Sequence, residues 1–224
     1  MKKIMIIAAH PDDEILGCGG TVARLLKEGQ TEVDKVFTLI LSNGITSRDN
    51  WNAKELEDLK VKSAEANHRI GVSWIAIEDL PDNKFDTVSL LGIVKIIDKH
   101  IKFHLPNTIF THHRGDLNID HRITYQAVIT ATRPMQNESV KEIYSFEVLS
   151  STEWNYPTTF SPDTFFDITK TLDTKLQALS CYESEMRDNR HPRSMTGVWN
   201  NAKMWGLKSG LEYAEAFETV RCIK

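Results

Sequence analysis

Two short segments hold most of the residue types that could do chemistry. The first, Ala9-His10-Pro11-Asp12-Asp13-Glu14, sets one imidazole beside three acidic side chains. The second, Thr111-His112-His113-Arg114-Gly115-Asp116-Leu117-Asn118-Ile119-Asp120-His121, carries three imidazoles and two aspartates. One imidazole with adjacent carboxylates can give a first-row metal two ligands and leave a further carboxylate beside it as a base. A histidine from the other segment would complete a two-histidine, one-aspartate site with an open position for water, and His10, Asp13 and His121 are the candidates. Taken alone, each segment has an ordinary reading. A lone histidine is usually a surface or satisfied core residue, and Asp12 or Asp13 could simply cap the helix that follows, where an acidic side chain contributes roughly 0.3–1 kcal/mol. The metal reading is favoured only if the fold brings the two segments together.

The surrounding pattern supplies a reason for it to do so. Lys3 to Ala9 is a continuous apolar run, as expected of a strand buried on both faces. A helical face follows, formed by Leu16, Val22, Ala23, Leu25 and Leu26, with Gly29 as its stop. Val36 to Leu41 and Ser73 to Glu78 read as further strands, separated by a helix over 53–70 that ends at Gly71. A helix over 89–105 precedes a fourth strand, Thr108 to Thr111, and another helix runs from about His121 to Thr132. Ile143 to Leu149 reads as a strand, and Leu172, Leu176, Leu179 and Tyr182 mark one more helix. The tail from Asp188 to Lys224 shows no clear period. This βαβα series implies an α/β protein, a Rossmann-like, mostly parallel sheet with helices on both faces, as a single domain over residues 1–224. Both loaded segments then follow strands, at the sheet edge where open α/β folds bind ligands.

Composition narrows the classes. Across 224 residues the formal net charge is −4, and no stretch gathers Lys and Arg into a stripe fit for a phosphate backbone, so a nucleic-acid partner is not expected. No segment approaches the length of a membrane span, and the N-terminal apolar run lacks a cleavage site, so a cytoplasmic protein is expected. Cys18, Cys181 and Cys222 offer neither a disulfide framework nor a thiolate zinc site. Homo-oligomerisation is left open.

AHPDDEILGCGG near the N-terminus, with GDLNIDH a hundred residues later, resembles the PIG-L (LmbE-like) deacetylases. Leu80-Pro81-Asp82-Asn83, the turn His191-Pro192-Arg193-Ser194 and the run Glu212 to Phe217 extend the likeness along nearly the whole chain. The resemblance implies a Zn2+-dependent hydrolase that removes an acetyl group from an N-acetylated amino sugar or related glycoside. It implies His10, Asp13 and His121 as zinc ligands and Asp12 as general base. Asp120 falls on the acidic residue that orients its neighbours. One position departs: many members carry an oxyanion-stabilising histidine where this chain has Asn118, which leaves His113 and His191 as substitutes. On the substrate side, Arg48 and Asp82 sit in loops on the same rim, able to hydrogen-bond sugar hydroxyls. Trp199 and Trp205 are either core or an apolar wall for a sugar ring.

Two other classes share parts of this pattern. A two-histidine, one-carboxylate iron(II) enzyme would use the same ligands, but the extra carboxylate Asp12 suits hydrolysis. A nucleotide-binding module would use Gly17-Cys18-Gly19-Gly20, yet it lacks the G-x-G-x-x-G spacing, and Asp12 and Asp13 would repel a phosphate there. A sugar-binding protein without catalysis is a third reading, against which the intact Asp12 stands.

Overall fold

The computed structural model describes residues 1–136 and 138–224. Its centre is one seven-stranded sheet. Five strands are parallel: β1 (Ile4–Ala8), β2 (Val36–Ser42), β3 (Trp74–Leu80), β4 (Thr108–His112) and β5 (Glu142–Phe146). Two more complete it: β7 (Ala214–Cys222) pairs antiparallel with β5, β6 (Thr164–Asp167) pairs antiparallel with β7, and the order across the sheet is β3-β2-β1-β4-β5-β7-β6. The helices are α1 (Asp13–Lys27), α2 (Ala53–Arg69), α3 (Leu90–His104), α4 (Ile119–Ala131), α5 (Leu172–Leu179) and α6 (Met195–Ser209). None is long and apolar enough to cross a membrane, among the described residues.

Helices on both faces explain why β1 is buried along its whole length. Successive side chains of a strand point to opposite faces, so Ile4 and Ile6 enter one core with residues of α1, α2 and α5, while Met5 and Ile7 enter the other with residues of α3 and α4. The mostly parallel, two-faced sheet expected from the alternation is the sheet observed.

Several boundaries move, for identifiable reasons. The strand expected to reach Leu149 stops at Phe146, because the Ser151 and Thr152 N–H groups turn back onto the Val148 carbonyl. The helix expected from about His121 starts at Ile119, because Asn118 caps it: its side-chain oxygen accepts from the Asp120 N–H at 2.8 Å. The tail with no legible period contains α6 and β7. In β7 the first four residues, Ala214 to Phe217, are all buried, including a glutamate. Glu215 is tolerated there because Lys175 pairs with it at 2.6 Å and the Gly20 and Thr21 N–H groups donate to it. A buried charge on both-face-buried backbone removes the alternation by which a strand is recognised.

The glycine run lies inside α1 rather than in a loop before it, so its N–H groups are not arrayed to cradle a phosphate. Its function is close packing. A Cβ on Gly17 would stand 2.3 Å from the buried Phe146 ring, and one on Gly20 would stand 3.0 Å from Ile168. These glycines let α1 lie close against the β5 end of the sheet, which sets where the helix's first residues, Asp13 and Glu14, are held. Gly17→Ala should therefore overpack this contact by roughly 1–3 kcal/mol. At about 2–4 °C per kcal/mol for a chain of this size, a thermal melt should show a Tm loss of about 2–12 °C. An unchanged or raised Tm would mean that Phe146 yields freely and the glycine is not a packing requirement.

Candidate active site

His10 leaves the end of β1, Asp13 opens α1, and His121 lies in the first turn of α4, after the loop that follows β4. Parallel pairing of β1 with β4 brings these loops to the same sheet edge. His10, Asp13 and His121 each offer one ligand atom, and the three atoms lie within 4.8 Å of one another. Asp13 Oδ2 is 3.4 Å from His10 Nδ1 and 3.2 Å from His121 Nε2, and it also accepts the His10 N–H at 2.9 Å.

Each of these imidazoles has a second carboxylate on its far nitrogen. His10 Nε2 is 3.0 Å from Asp120 Oδ2 and 3.4 Å from Asp82 Oδ1. His121 Nδ1 is 3.2 Å from Asp116 Oδ1. Those outer carboxylates are themselves fastened. Asp120 Oδ1 accepts the Phe85 N–H at 2.9 Å, and Asp116 accepts from the Ser151 hydroxyl, the Thr152 hydroxyl and the Asn118 N–H. A carboxylate on one nitrogen fixes ring orientation and leaves the other nitrogen free to ligate, as metal-binding histidines require. The donor set therefore fits a divalent cation held by His10 Nδ1, Asp13 Oδ2 and His121 Nε2.

The electrostatics follow from this crowding. Burial pulls the His10 pKa down, but its bonds to Asp120 and Asp13 outweigh that and raise it to about 10. Burial likewise opposes the rise at His121, yet Asp13 and Asp116 carry it to about 9. Burial would raise the Asp13 carboxyl, but neighbouring imidazoles, His121 foremost, hold it well below the usual carboxylate range.

Asp12 differs from Asp13. Its backbone takes φ 94°, a left-handed conformation rarely adopted outside glycine and asparagine, and its N–H donates to Glu14 Oε2 at 3.0 Å. Glu14 is locked in turn by the Tyr182 hydroxyl at 2.6 Å and the Asn67 amide at 2.9 Å. This geometry turns the Asp12 side chain to Arg193, whose Nη1 is 3.2 Å from Oδ2. Burial raises the Asp12 carboxyl, Arg193 opposes it, and the balance lies at about 7.

The other residues singled out from sequence fall in varied places. Asp82 is buried beside His10 and accepts from the Ser47 N–H at 3.1 Å and its hydroxyl at 2.6 Å, so its oxygens face protein groups. Arg48 sits on the rim with both Glu185 oxygens 2.7 Å from its Nη2. Asn118, besides capping α4, donates its amide to Asn83 Oδ1 at 3.0 Å. His191 lies in the turn with Arg193 and packs edge-to-face with Trp154. His113 instead faces Thr159 at 3.0 Å and Glu218 at 3.1 Å, with no contact to the His10–Asp13–His121 cluster. Trp205 is core, donating to Glu147, and Trp199 packs on Tyr213.

Four residues of the site went unassigned in the sequence. His112 is fully buried, stacks on His121 with centroids 3.9 Å apart, and accepts the Ala9 N–H on Nε2. Its signal in the sequence is its place at the end of β4, directly before His113. Arg193 lies in the His191-Pro192-Arg193-Ser194 turn, Glu14 in AHPDDE and Asp116 in GDLNIDH. No spacing rule reveals which carboxylate will lie behind which imidazole.

The PIG-L family, described as GlcNAc-PI de-N-acetylase, matches residues 5–132, more than half of the chain. The diacetylchitobiose deacetylase of Thermococcus kodakarensis is 27% identical over 98% of this chain and 84% of its own length. Among solved structures, the N,N'-diacetylchitobiose deacetylase of Pyrococcus horikoshii superposes with a TM-score of 0.79 at 21% identity, covering 98% of this chain and 84% of that one. The 4-carboxy-2-hydroxymuconate hydratase of Pseudomonas putida superposes with a TM-score of 0.76 at 18% identity, covering 100% and 98%, so this fold also carries a different reaction. The matched segment contains both loops that converge on Asp13, and the chain belongs to the PIG-L family.

Proposed function

We propose that this protein is a metal-dependent hydrolase that removes the acetyl group from an N-acetylated amino sugar or related glycoside, releasing acetate and a free amine. The observation that carries the reading is the pair of imidazoles, each held by a carboxylate on one nitrogen and turned to Asp13 with the other. Family membership and the deacetylase relative support the same reading. Zinc is the proposed cation, with iron(II) fitting the same donors.

His10, Asp13 and His121 would hold the cation. When bound, it supplies Lewis acidity toward an acetamide carbonyl and toward water. Asp12 is the proposed general base: it takes a proton from the attacking water and returns it to the leaving amine. A carboxyl near pH 7 is matched to both transfers, which contribute on the order of 10²–10⁴ in rate. Arg193 positions Asp12, while Asp120 and Asp116 orient the two imidazoles. The Asn118 amide is engaged at both ends, so we assign it to holding α4 and Asn83 rather than to the oxyanion. Arg48, Asp82 and His191 remain the proposed substrate-side residues, Asp82 acting through His10 and Ser47.

His10→Ala, Asp13→Ala and His121→Ala should each lose most of the bound metal by elemental analysis. Asp12→Asn should keep the metal and lose acetate release from N-acetylglucosamine derivatives by roughly 10² or more. Full metal occupancy in the first three, or near-wild-type turnover in the fourth, would sink the corresponding role.

Metal uptake should also release protons. Without metal, His10 and His121 have pKa values raised to about 10 and about 9, so both are protonated at pH 7.5 and must be neutral to ligate. Calorimetric titration with zinc in buffers of differing ionisation enthalpy should show about two protons released per ion. Apparent affinity should rise with pH, less steeply above about 9, and level off only above about 10. A pH-independent affinity would show that these imidazoles are already neutral or do not ligate.

A further inference from the structure

Asp12 occupies the cap position in front of α1, where an aspartate ordinarily turns its side chain back to accept a helix N–H. Here it caps nothing, and the carboxyl is left free to meet Arg193. The cause is the backbone, whose φ of 94° and ψ of −29° lie in the left-handed region. That conformation is unfavourable for a residue with a side chain and persists only where the surroundings impose it.

The imposing group is Glu14, whose Oε2 accepts the Asp12 N–H at 3.0 Å, reaching back as the acidic member of a capping box does. A glutamate has three rotatable side-chain bonds and would not hold this pose alone. Two residues from elsewhere in the fold remove its freedom. Its Oε1 accepts from the Tyr182 hydroxyl at 2.6 Å and from the Asn67 amide at 2.9 Å. Tyr182 is fully buried in the Ser180–Tyr182 turn that follows α5. Asn67, near the end of α2, is fixed at both ends of its own amide: Oδ1 accepts the Thr38 hydroxyl of β2 at 2.7 Å, and Nδ2 also donates to the Ser63 carbonyl at 2.9 Å. None of these bonds goes to His10, Asp13 or His121. The chain from β2, α2 and the turn after α5 ends on one backbone N–H, that of the residue beside the candidate ligand Asp13.

We propose that Tyr182 and Asn67 are positioning residues for Asp12, acting through Glu14 to hold its left-handed backbone and so aim its carboxyl, without touching substrate or metal. The inference rests on the deacetylase reading, in which Asp12 is the general base. Once either donor is removed, Glu14 gains rotameric freedom, the Asp12 backbone relaxes and the carboxyl leaves its aim, while the three ligand side chains keep their own partners.

The test uses the metal-loaded full chain and Tyr182→Phe, which deletes the hydroxyl and keeps the buried ring. This variant should lower kcat for acetate release from N-acetylglucosamine about 10-fold, with KM and metal content within about twofold of wild type. Asn67→Ala removes the other donor and should act the same way. In an Asp12→Asn background, Tyr182→Phe should change the residual rate by less than about twofold, because the group it aims is already gone. A purely structural role would lower that residual rate as well. Amide exchange followed by NMR reads the clamp without any turnover: the Asp12 N–H should exchange about 10-fold faster in Tyr182→Phe, with the β1 amides unchanged. Unchanged exchange at Asp12, an equal loss in the Asp12→Asn background, or a loss that follows metal content would overturn the proposal. If wild-type protein released no acetate while the Asp12 N–H still exchanged faster in Tyr182→Phe, the deacetylase reading would fail and the clamp on Asp12 would stand.

Discussion

Six carboxyl groups, those of Asp12, Asp13, Glu14, Asp82, Asp116 and Asp120, are buried at one edge of the sheet, and the structure there is organised by the need to neutralise them. An isolated buried carboxylate costs several kcal/mol or more, so each must be protonated, paired or bound to a cation. The side chains here supply the first two of these devices. His10 and His121 are driven to their charged forms, Glu14 is pushed by burial to about 8, and Arg193 pairs with Asp12. A divalent cation between His10, Asp13 and His121 would replace two protons with one ion of the same total charge, so the surroundings are already charge-matched to it. Ligand binding of this kind also stabilises the native state by mass action.

The same constraint separates the adjacent aspartates. Asp13 opens α1 and faces two imidazoles, whereas the left-handed backbone at Asp12 turns its side chain to Arg193. Neighbouring carboxyls thereby acquire opposite shifts, one well below its usual range and the other at about 7. Pairs of titratable groups pushed apart by their surroundings are the pattern from which acid–base roles are read. The strain at Asp12 is held by Glu14, which is why a residue two positions on, with no direct part in the chemistry, is wholly buried and triply bonded.

The scaffold serves this edge without dictating the reaction. A hydratase with nearly the same backbone shows that the sheet tolerates other chemistry in its loops. What particularises this chain is the contents of the loops after β1, β3, β4 and β5, and the turn before α6 that closes over them through Arg193 and His191.

Much of the centre was legible in the amino-acid sequence. β1 is a continuous apolar run, the other parallel strands are short apolar-rich stretches, most helices carry an apolar stripe, and the alternation of the two implies a sheet whose C-terminal edge gathers the loops. His10, Asp12 and Asp13 could be picked out because they follow the end of β1 directly, and Asp120 and His121 because they open the helix after the loop that leaves β4. The pairings needed the tertiary structure, because a carboxylate 108 to 110 residues from its partner carries no periodic signal: Asp13 with His121, His10 with Asp120. It alone puts His112, and not its neighbour His113, against His121, since adjacent residues at a strand end face opposite ways. It also supplied α6 and β7, whose buried Glu215 erases the hydrophobic pattern and is affordable only because Lys175 arrives from another helix. Local sequence sets which residues can do chemistry at an edge; only long-range packing decides which of them meet.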